Sequence, residues 1–256
     1  MIAHSVHGAS SLEALPFFRS GLLSAGDKQA LAAIAAPPRS LKAGVDLVNE
    51  GVPADTVYFL TQGWACRQKT TSGGARQITG MIVLGDACNL DSYMLAHVNF
   101  GVRTLAATTV VGLPRAALQV LAAERPGIAR ALTLLAIMEN AVLCEWALSL
   151  GQQRALERLA RFLCEMAVRL DGESANRAMF DLPLTQEQIA DVLGITAIHA
   201  NRTIQQLRAE GLLVIRARHV TLPDVAELCR VAGFDRTYLD AAPSMVSEQE
   251  RAEVAG

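Results

Sequence analysis

Closely spaced cysteines are missing from this chain. The five present (Cys66, Cys88, Cys144, Cys164 and Cys229) lie twenty or more residues apart. That spacing excludes a disulfide framework and a Cys-rich zinc or iron–sulfur site, and it predicts reduced, mostly buried thiols. Clustered histidines are missing too. His4, His7, His97, His199 and His219 are scattered, so the grouped His and Glu ligands of a cupin-type metal enzyme are not expected. Neither a P-loop nor an HExxH or G-x-S-x-G motif occurs. No catalytic residue, metal or cofactor is therefore expected, and the chain does not read as an enzyme. Charge of one sign is not in excess: 23 Lys and Arg stand against 25 Asp and Glu, so any nucleic-acid surface must be local. Apolar runs are short. Leu132–Ile137 and Ala141–Cys144 are interrupted by Glu139, Glu145 and Arg154, below the roughly 18–20 residues a membrane span needs. Residues 1–11 carry no basic cluster leading into an apolar stretch, unlike a signal peptide, so a cytoplasmic protein is expected.

What is present is ample core material. Of 256 residues, 51% are apolar and 19% charged, which suits one to two globular domains and argues against wholesale disorder. Residues 39–115 carry short β-rich runs: Val45–Val48, Thr56–Leu60, Ala65–Lys69, Gln77–Val83, Val102–Ala107 and Val110–Leu113. Turn signals at Gly44, Gly51-Val52-Pro53, Gly63, Ser72-Gly73-Gly74 and Gly85-Asp86 separate them, which predicts a sandwich or barrel. A small helix at about Ser24–Ala35 precedes them.

From Pro126 the period changes to that of a helix. Leu135, Met138, Val142 and Trp146 follow one another at helical spacing, and Leu134, Ile137, Ala141 and Leu148 add apolar residues on other faces. A helix that is apolar most of the way round needs cover on two sides. The β unit can supply one. The other is expected from a second copy of the same helix, with those four residues at the interface of a homodimer; a helix buried within one subunit is the alternative. Gly151 is expected to break this helix, Gln153–Leu170 to form another, and 171–174 a loop.

Residues 184–213 carry the functional signal. Thr185, followed three residues later by Gln188, is a capping-box start. Ile189, Ala190 and Leu193 form the inner face of a short helix, and Gly194 suits a tight turn that needs positive φ. Thr196 caps a second helix with inner residues Ala200, Ile204 and Leu207. This is the helix-turn-helix that reads double-stranded DNA. Candidate DNA-binding residues are Thr185, Gln186, Thr196, Ala197, Ile198, His199, Asn201, Arg202 and Gln205. Arg pairs with guanine, and Asn or Gln with adenine. Arg216 and Arg218, in a short hairpin before Val220–Leu222, form a basic wing for phosphate.

The stretches LTQEQIADVLGIT…HANRTIQQLRAEGLL (184–213), ALERLARFLCEM (155–166) and AGVDLVNEGVPADTVYFLTQGWACR (43–67) resemble the CRP/FNR superfamily of bacterial transcription regulators over nearly the whole chain. The resemblance implies an α+β chain in four parts. These are a jelly-roll-like β-roll resembling a cyclic-nucleotide-binding domain (1–125), a long dimerisation helix (126–151), a winged helix-turn-helix (152–240) and a flexible tail (241–256). It further implies a homodimer on a near-palindromic site, with RNA polymerase as a partner. Two departures stand out. Many relatives have a Glu three or four residues before an Arg matching Arg202; here Ile198 stands there, placed to touch a thymine methyl. Cyclic-nucleotide-binding relatives carry Gly-Glu and then Arg-Ser or Arg-Thr, whereas GDACNLDSYMLAHVNFGVR (85–103) has Asn89-Leu90 and no Arg within His97–Phe100. Gly85, Asp86, Cys88, Asn89, Leu90 and Arg103 remain as the candidate pocket for an unidentified effector. Haem on Cys88 and His97 is set against ordinary packing of both residues. Oxygen sensing through N-terminal cysteines is excluded, since residues 1–65 contain none. Three readings stay open: an effector-gated DNA-binding regulator, an effector-independent one, and a ligand module acting through protein partners.

Overall fold

Alternating inward apolar side chains build two facing antiparallel sheets. The computed structural model describes Leu12, Leu15, Phe18, residues 21–171 and residues 176–239; the first eleven residues, positions 172–174 of the expected loop and the expected tail from Ala241 lie outside them. One sheet has the order β1-β7-β3, from β1 (Arg39–Leu41), β7 (Thr108–Pro114) and β3 (Thr56–Gln62). The other runs β2-β6-β4-β5, from β2 (Asp46–Val48), β6 (Gly101–Thr104), β4 (Ala65–Thr70) and β5 (Arg76–Ile82). Between them lie Val48, Leu60, Ala65, Ile82, Phe100, Val102 and Val110, each larger side chain contributing about 1.5–3 kcal/mol by leaving water. This is the expected β-roll. Strand β1 was not expected, because Arg39 and Ser40 are exposed and show no apolar alternation; pairing with β7 recruits it.

Helix α1 (Ala25–Ile34) starts at the Ser24 capping box, in which Asp27 closes the return bond. Sequence reading missed α2 (Arg115–Glu124). It ends at Arg125, which stands before Pro126 with extended backbone (φ −128°, ψ 95°), because a residue preceding proline is pushed out of the helical region. Helix α3 (Pro126–Gln152) then begins anew. Its first turns bury Ile128, Ala131 and Leu132 against Phe59, Leu113 and Leu118 beneath the roll.

Two expectations for α3 are corrected. Gly151 does not break the helix; it sits in the last turn, and the chain leaves helical geometry at Gln153 (φ −93°, ψ 149°). The Gln153 amide accepts from Ser149 Oγ at 2.7 Å and donates to Ala232 O at 2.8 Å, which fixes the corner. Nor is the chain without a membrane-length segment, since α3 is long and apolar enough by length and composition. Two acids that seemed to interrupt it, Glu139 and Glu145, are paired with Arg67 and Arg161.

Helix α4 (Ala155–Asp171) buries Leu159, Phe162, Leu163 and Met166. Then come β8 (Ala178–Asp181), α5 (Gln186–Leu193), α6 (Ala197–Ala209), β9 (Val214–Arg216), β10 (His219–Leu222) and α7 (Val225–Ala232). Strands β8, β10 and β9 form a small antiparallel sheet in that order. Sequence reading missed β8, with only Ala178 and Phe180 pointing inward, and α7. The overall α+β architecture of β-roll, long helix and winged helix-turn-helix is the expected one.

Candidate nucleic-acid interface

The start of α5 is fixed locally. Thr185 Oγ1 accepts from Gln188 N at 3.2 Å, and Gln188 Oε1 accepts from Thr185 N at 2.8 Å. Such a cap contributes about 1 kcal/mol. The helix buries Ile189, Ala190, Val192 and Leu193 and stops at Gly194, in the left-handed region (φ 63°, ψ 39°). A side chain there is strained, and a Cβ would also meet Leu150 Cδ2 at 3.2 Å and Gln77 Oε1 at 3.3 Å. Thr196 Oγ1 accepts from His199 N at 3.3 Å and starts α6. Ala190 and Ala200, both buried, let the two helices cross closely.

Helix α6 is divided by solvent. Ala200, Thr203, Ile204 and Leu207 face the core. Ile198 (70% exposed), His199, Arg202 and Gln205 face outward, with Ala197 and Asn201 half-buried at the edge. Among the described residues the Arg202 guanidinium makes no ion pair. In the wing, Arg216 and Arg218 are exposed and equally unpaired, while His219 pairs with Asp181 across the strands. The tip turns through Ala217 at φ 56°, the left-handed region, without a glycine. Thr185 and Gln186 are exposed at the start of α5. Outward Arg, Gln and His on a protruding helix flanked by a basic hairpin can hydrogen-bond base edges and phosphates.

Sequence reading missed the groups that hold this unit. Arg158 Nη1 donates to Leu193 O at 2.6 Å and its Nε to Gln153 O at 2.9 Å, so one guanidinium caps α5 and grips the corner after α3. Arg76 pairs with Asp191 at 2.5 Å, and Gln77 Nε2 donates to the Asp191 and Val192 carbonyls. Strand β5 of the roll is thereby docked on α5. Arg158 in ALERLARF was visible; its carbonyl target Leu193, 35 positions on, was not.

The α3 expectation is corrected in register. Trp146 is turned into its own subunit, edge-on to Phe162, with Nε1 donating to Glu165 at 2.8 Å. Leu135 and Val142 lean on the two cores of the same chain, and Met138 is half-buried. The face left open is a different one. Arg130, Thr133, Ile137, Asn140, Cys144, Ala147 and Gly151 are all exposed and follow at alternating steps of three and four.

The residues expected to line an effector pocket are engaged within the roll. Gly85 N donates to Leu60 O at 2.9 Å. The Asp86 carboxylate accepts from Val83 N at 2.8 Å and pairs with Arg169. Asn89, fully buried, accepts from Tyr58 N and donates to Thr56 O and Ser92 Oγ, all within 2.9 Å. Leu90 is core, and Arg103 Nη1 donates to both Asp46 oxygens at 2.8 and 2.9 Å. Cys88 is buried, and desolvation pushes its thiol well up and keeps it neutral. His97 is exposed; a haem bridging that pair finds no support.

Beside Arg169, a second cation enters this region, Arg67, missed from sequence. It donates to Ala87 O at 2.8 Å and Cys88 O at 3.1 Å, lies over the Phe100 ring and pairs with Glu139 of α3 at 2.6 Å. Burial alone would lower the Arg67 pKa, but the carboxylates around it, Glu139 foremost and then Asp86, together leave it raised and the guanidinium charged. Burial raises Glu139 against the opposing pull of Arg67.

Comparison with known proteins bears on both halves. Residues 157–231 match the family of Crp-like helix-turn-helix domains, and residues 38–125 the cyclic nucleotide-binding domain. Transcriptional activator protein FnrL of Cereibacter sphaeroides is 29% identical over 202 residues, covering 77% of this chain and 81% of that protein. Transcriptional activator protein anr of Pseudomonas aeruginosa is 26% identical over 211 residues, covering 82% of this chain and 86% of that one. Among solved structures, FixK2 from Bradyrhizobium japonicum superposes with a TM-score of 0.72 at 28% identity, over 78% of this chain and 98% of that one.

Proposed function

We propose, from the premise that this chain belongs to the CRP/FNR superfamily of DNA-binding transcription regulators, that two copies of it grip a near-palindromic duplex site in the cytoplasm. The observation that carries this is the division of α6. Its inner face is buried, while Ile198, His199, Arg202 and Gln205 are exposed beside Arg216 and Arg218, which make no ion pair among the described residues. Arg202 and Asn201 read base edges, Ile198 contacts a thymine methyl, and the wing arginines meet phosphate. Thr185, Gln186 and Thr196 stand at the helix starts, where the positive end of the helix dipole faces the phosphate backbone.

The dimer rests on α3. Only 17% of its most apolar stretch is buried within the subunit, and Ile137, Leu143 and Leu148 are more than half exposed. An apolar face of that extent needs cover. The exposed 3-4 stripe from Arg130 to Gly151 has the spacing of a coiled-coil seam, with Asn140 suited to setting register. A parallel pair through this stripe presents two recognition helices to successive major grooves, about 34 Å apart. RNA polymerase is the partner through which such a regulator acts.

For the β-roll, the Arg67–Glu139 pair and the engaged side chains of residues 85–103 support an effector-independent regulator over one switched by a cyclic nucleotide. A cyclic phosphate needs unspent donors in a partly buried site; Arg103 and Arg67 are both committed. Calorimetry with cyclic AMP is expected to show no micromolar binding, and such binding would overturn this reading. Selecting duplexes from a random DNA pool tests the whole proposal. Inverted half-sites with centres about 10 bp apart are expected. Enrichment of no sequence, or of a single unrepeated half-site, would sink it.

A further inference from the structure

Two of the five cysteines, 65 positions apart in sequence, meet in space. Cys164 on α4 and Cys229 on α7 have their sulfurs 3.4 Å apart. Leu159, Leu163 and Met166 share one core with Leu228 and Ala232 of the facing helix. Cys164 is fully buried, whereas Cys229 is half-exposed at the edge of the contact. The three other thiols make no such approach. Cys88 is shut inside the roll, Cys66 is buried where the roll packs on the C-terminal helices, and Cys144 lies on the open face of α3 with Asn140 Nδ2 at 3.8 Å.

We propose that Cys164 and Cys229 form a reversible thiol–disulfide site, closed by a peroxide and opened by a thiol reductant, within the winged helix-turn-helix. The asymmetry of burial assigns the roles. Solvent reaches Cys229, so its sulfur meets the oxidant; Cys164 can be reached only by its neighbour. The thiolate of Cys229 attacks one oxygen of hydrogen peroxide. An S–O bond forms, the O–O bond breaks, and the departing hydroxide takes up the proton lost by Cys229 to become water. The Cys164 sulfur then displaces the sulfenic hydroxyl: an S–S bond forms, the S–O bond breaks, and the Cys164 proton leaves with that hydroxyl as a second water. Two thiols and one peroxide give one disulfide and two waters, with two electrons passing from sulfur to oxygen. Electrostatics agrees with this order. The hydrogen bond between the two sulfurs holds the Cys229 thiol below its ordinary value, while that bond and burial push Cys164 up. Burial pushes Cys66 up to about 12 and Cys88 higher, which leaves both protonated and inert.

An S–S bond is about 2.05 Å long, so the sulfurs must draw together by about 1.4 Å, within reach of rotation at both Cα–Cβ bonds. The bridge would close a loop that holds α5, α6 and both wing strands. Disulfides in reducing compartments are usually transient and redox-sensing, which suits a pair held at contact distance but unbonded.

The test uses the full-length chain carrying Cys144→Ser, which removes the exposed thiol that could join two copies. The protein is treated with hydrogen peroxide, unfolded in N-ethylmaleimide, digested and mapped by mass. The expected product is a cross-linked pair of peptides bearing Cys164 and Cys229, lighter than their sum by two hydrogens and lost on reduction, with Cys66 and Cys88 fully alkylated. Free alkylation of both partners after peroxide would overturn the proposal. So would sulfinic acid at Cys229 with Cys164 still free. In a Cys164→Ala companion, dimedone labelling of Cys229 is expected to rise about ten-fold, because the sulfenic acid has lost its resolving thiol; unchanged labelling would also overturn it. If that variant fails to fold, the peptide map alone decides.

Discussion

The two ends of this subunit use similar polar residues in opposite ways. In the winged helix-turn-helix, Arg202, Arg216 and Arg218 reach solvent and make no ion pair among the described residues. In the β-roll, Arg67, Arg103 and Asn89 are committed to carbonyls and carboxylates of the same chain. A ligand-binding surface needs donors whose bonds are still to be made, because a donor already satisfied gains nothing by exchanging partners. The lesson is that residue type marks a site less well than unspent bonding capacity does. By that measure one end is built to contact another molecule. The other is built to hold itself closed.

The largest expected effect breaks the comparison at the helix between the two ends. Ile137→Asp places a like-charged carboxylate on both copies at the centre of the exposed α3 stripe. Burying unpaired charge there is costly, and the dimer dissociation constant is expected to rise at least about 100-fold, roughly 3 kcal/mol. Sedimentation velocity reads it directly. A dimer of unchanged strength would show that α3 pairs through another face or that the chain does not pair there. Trp146→Phe, by contrast, is expected to leave the dimer constant unchanged while loosening the subunit, since that ring is buried against Phe162.

Next comes the latch that closes the roll. Arg67 and Glu139 keep only 19% and 25% of their side-chain surface. Removing one partner strands the other, at about 2–3 kcal/mol when some solvent access remains. Arg67→Met is therefore expected to lower thermal stability clearly, and adding Glu139→Leu to recover much of the loss. The pH dependence sharpens the test. Because burial raises Glu139 above its ordinary value of 4.5, the folded state holds that proton more tightly than the unfolded chain. The corresponding stability is fully present below that ordinary value and is lost as pH rises through the folded pKa. Glu139→Gln removes this slope. Equal slopes in parent and variant, by chemical denaturation across that window, would refute the assignment.

At the open end, Arg202→Ala is expected to lose about 1–3 kcal/mol of discrimination between the selected site and one with a changed base pair. Arg216→Ala and Arg218→Ala are expected to weaken all duplexes alike, each reducing the salt slope by about one. Fluorescence anisotropy at several salt concentrations separates the two patterns. Equal loss of specificity from all three would place the reading surface elsewhere.

Much of the open end was legible in the sequence because its signals are local. The Thr185–Gln188 box, Gly194 and Thr196 act over three or four residues. The closed end was less legible because its decisive contacts are not local. Arg67 meets Glu139 from 72 positions away, and Arg158 caps Leu193 from 35. The stripe on α3 was misjudged for another reason. A helix apolar on most faces carries little information about which face its own subunit covers, and here the larger residues Leu135, Val142 and Trp146 turned inward. Strands β1 and β8 escaped because three or four residues with one or two inward side chains carry no readable period.

The smallest effect separates the wing's conformation from its charge. Ala217 turns the hairpin at φ 56°, where an alanine side chain crowds the following carbonyl at a cost of about 1–2 kcal/mol. Glycine removes that crowding but adds freedom to the unfolded chain, a partly offsetting loss of roughly 0.5–1 kcal/mol. Ala217→Gly is therefore expected to stabilise the chain by about 0.5–1 kcal/mol, read as a small rise in denaturation midpoint at constant slope. Because it leaves Arg216 and Arg218 in place, the number of phosphates neutralised, and so the salt slope of DNA binding, should not change. A slope that fell as the midpoint rose would mean that the strained turn aims the two arginines, and that the open end, like the closed one, is held in shape by its own backbone.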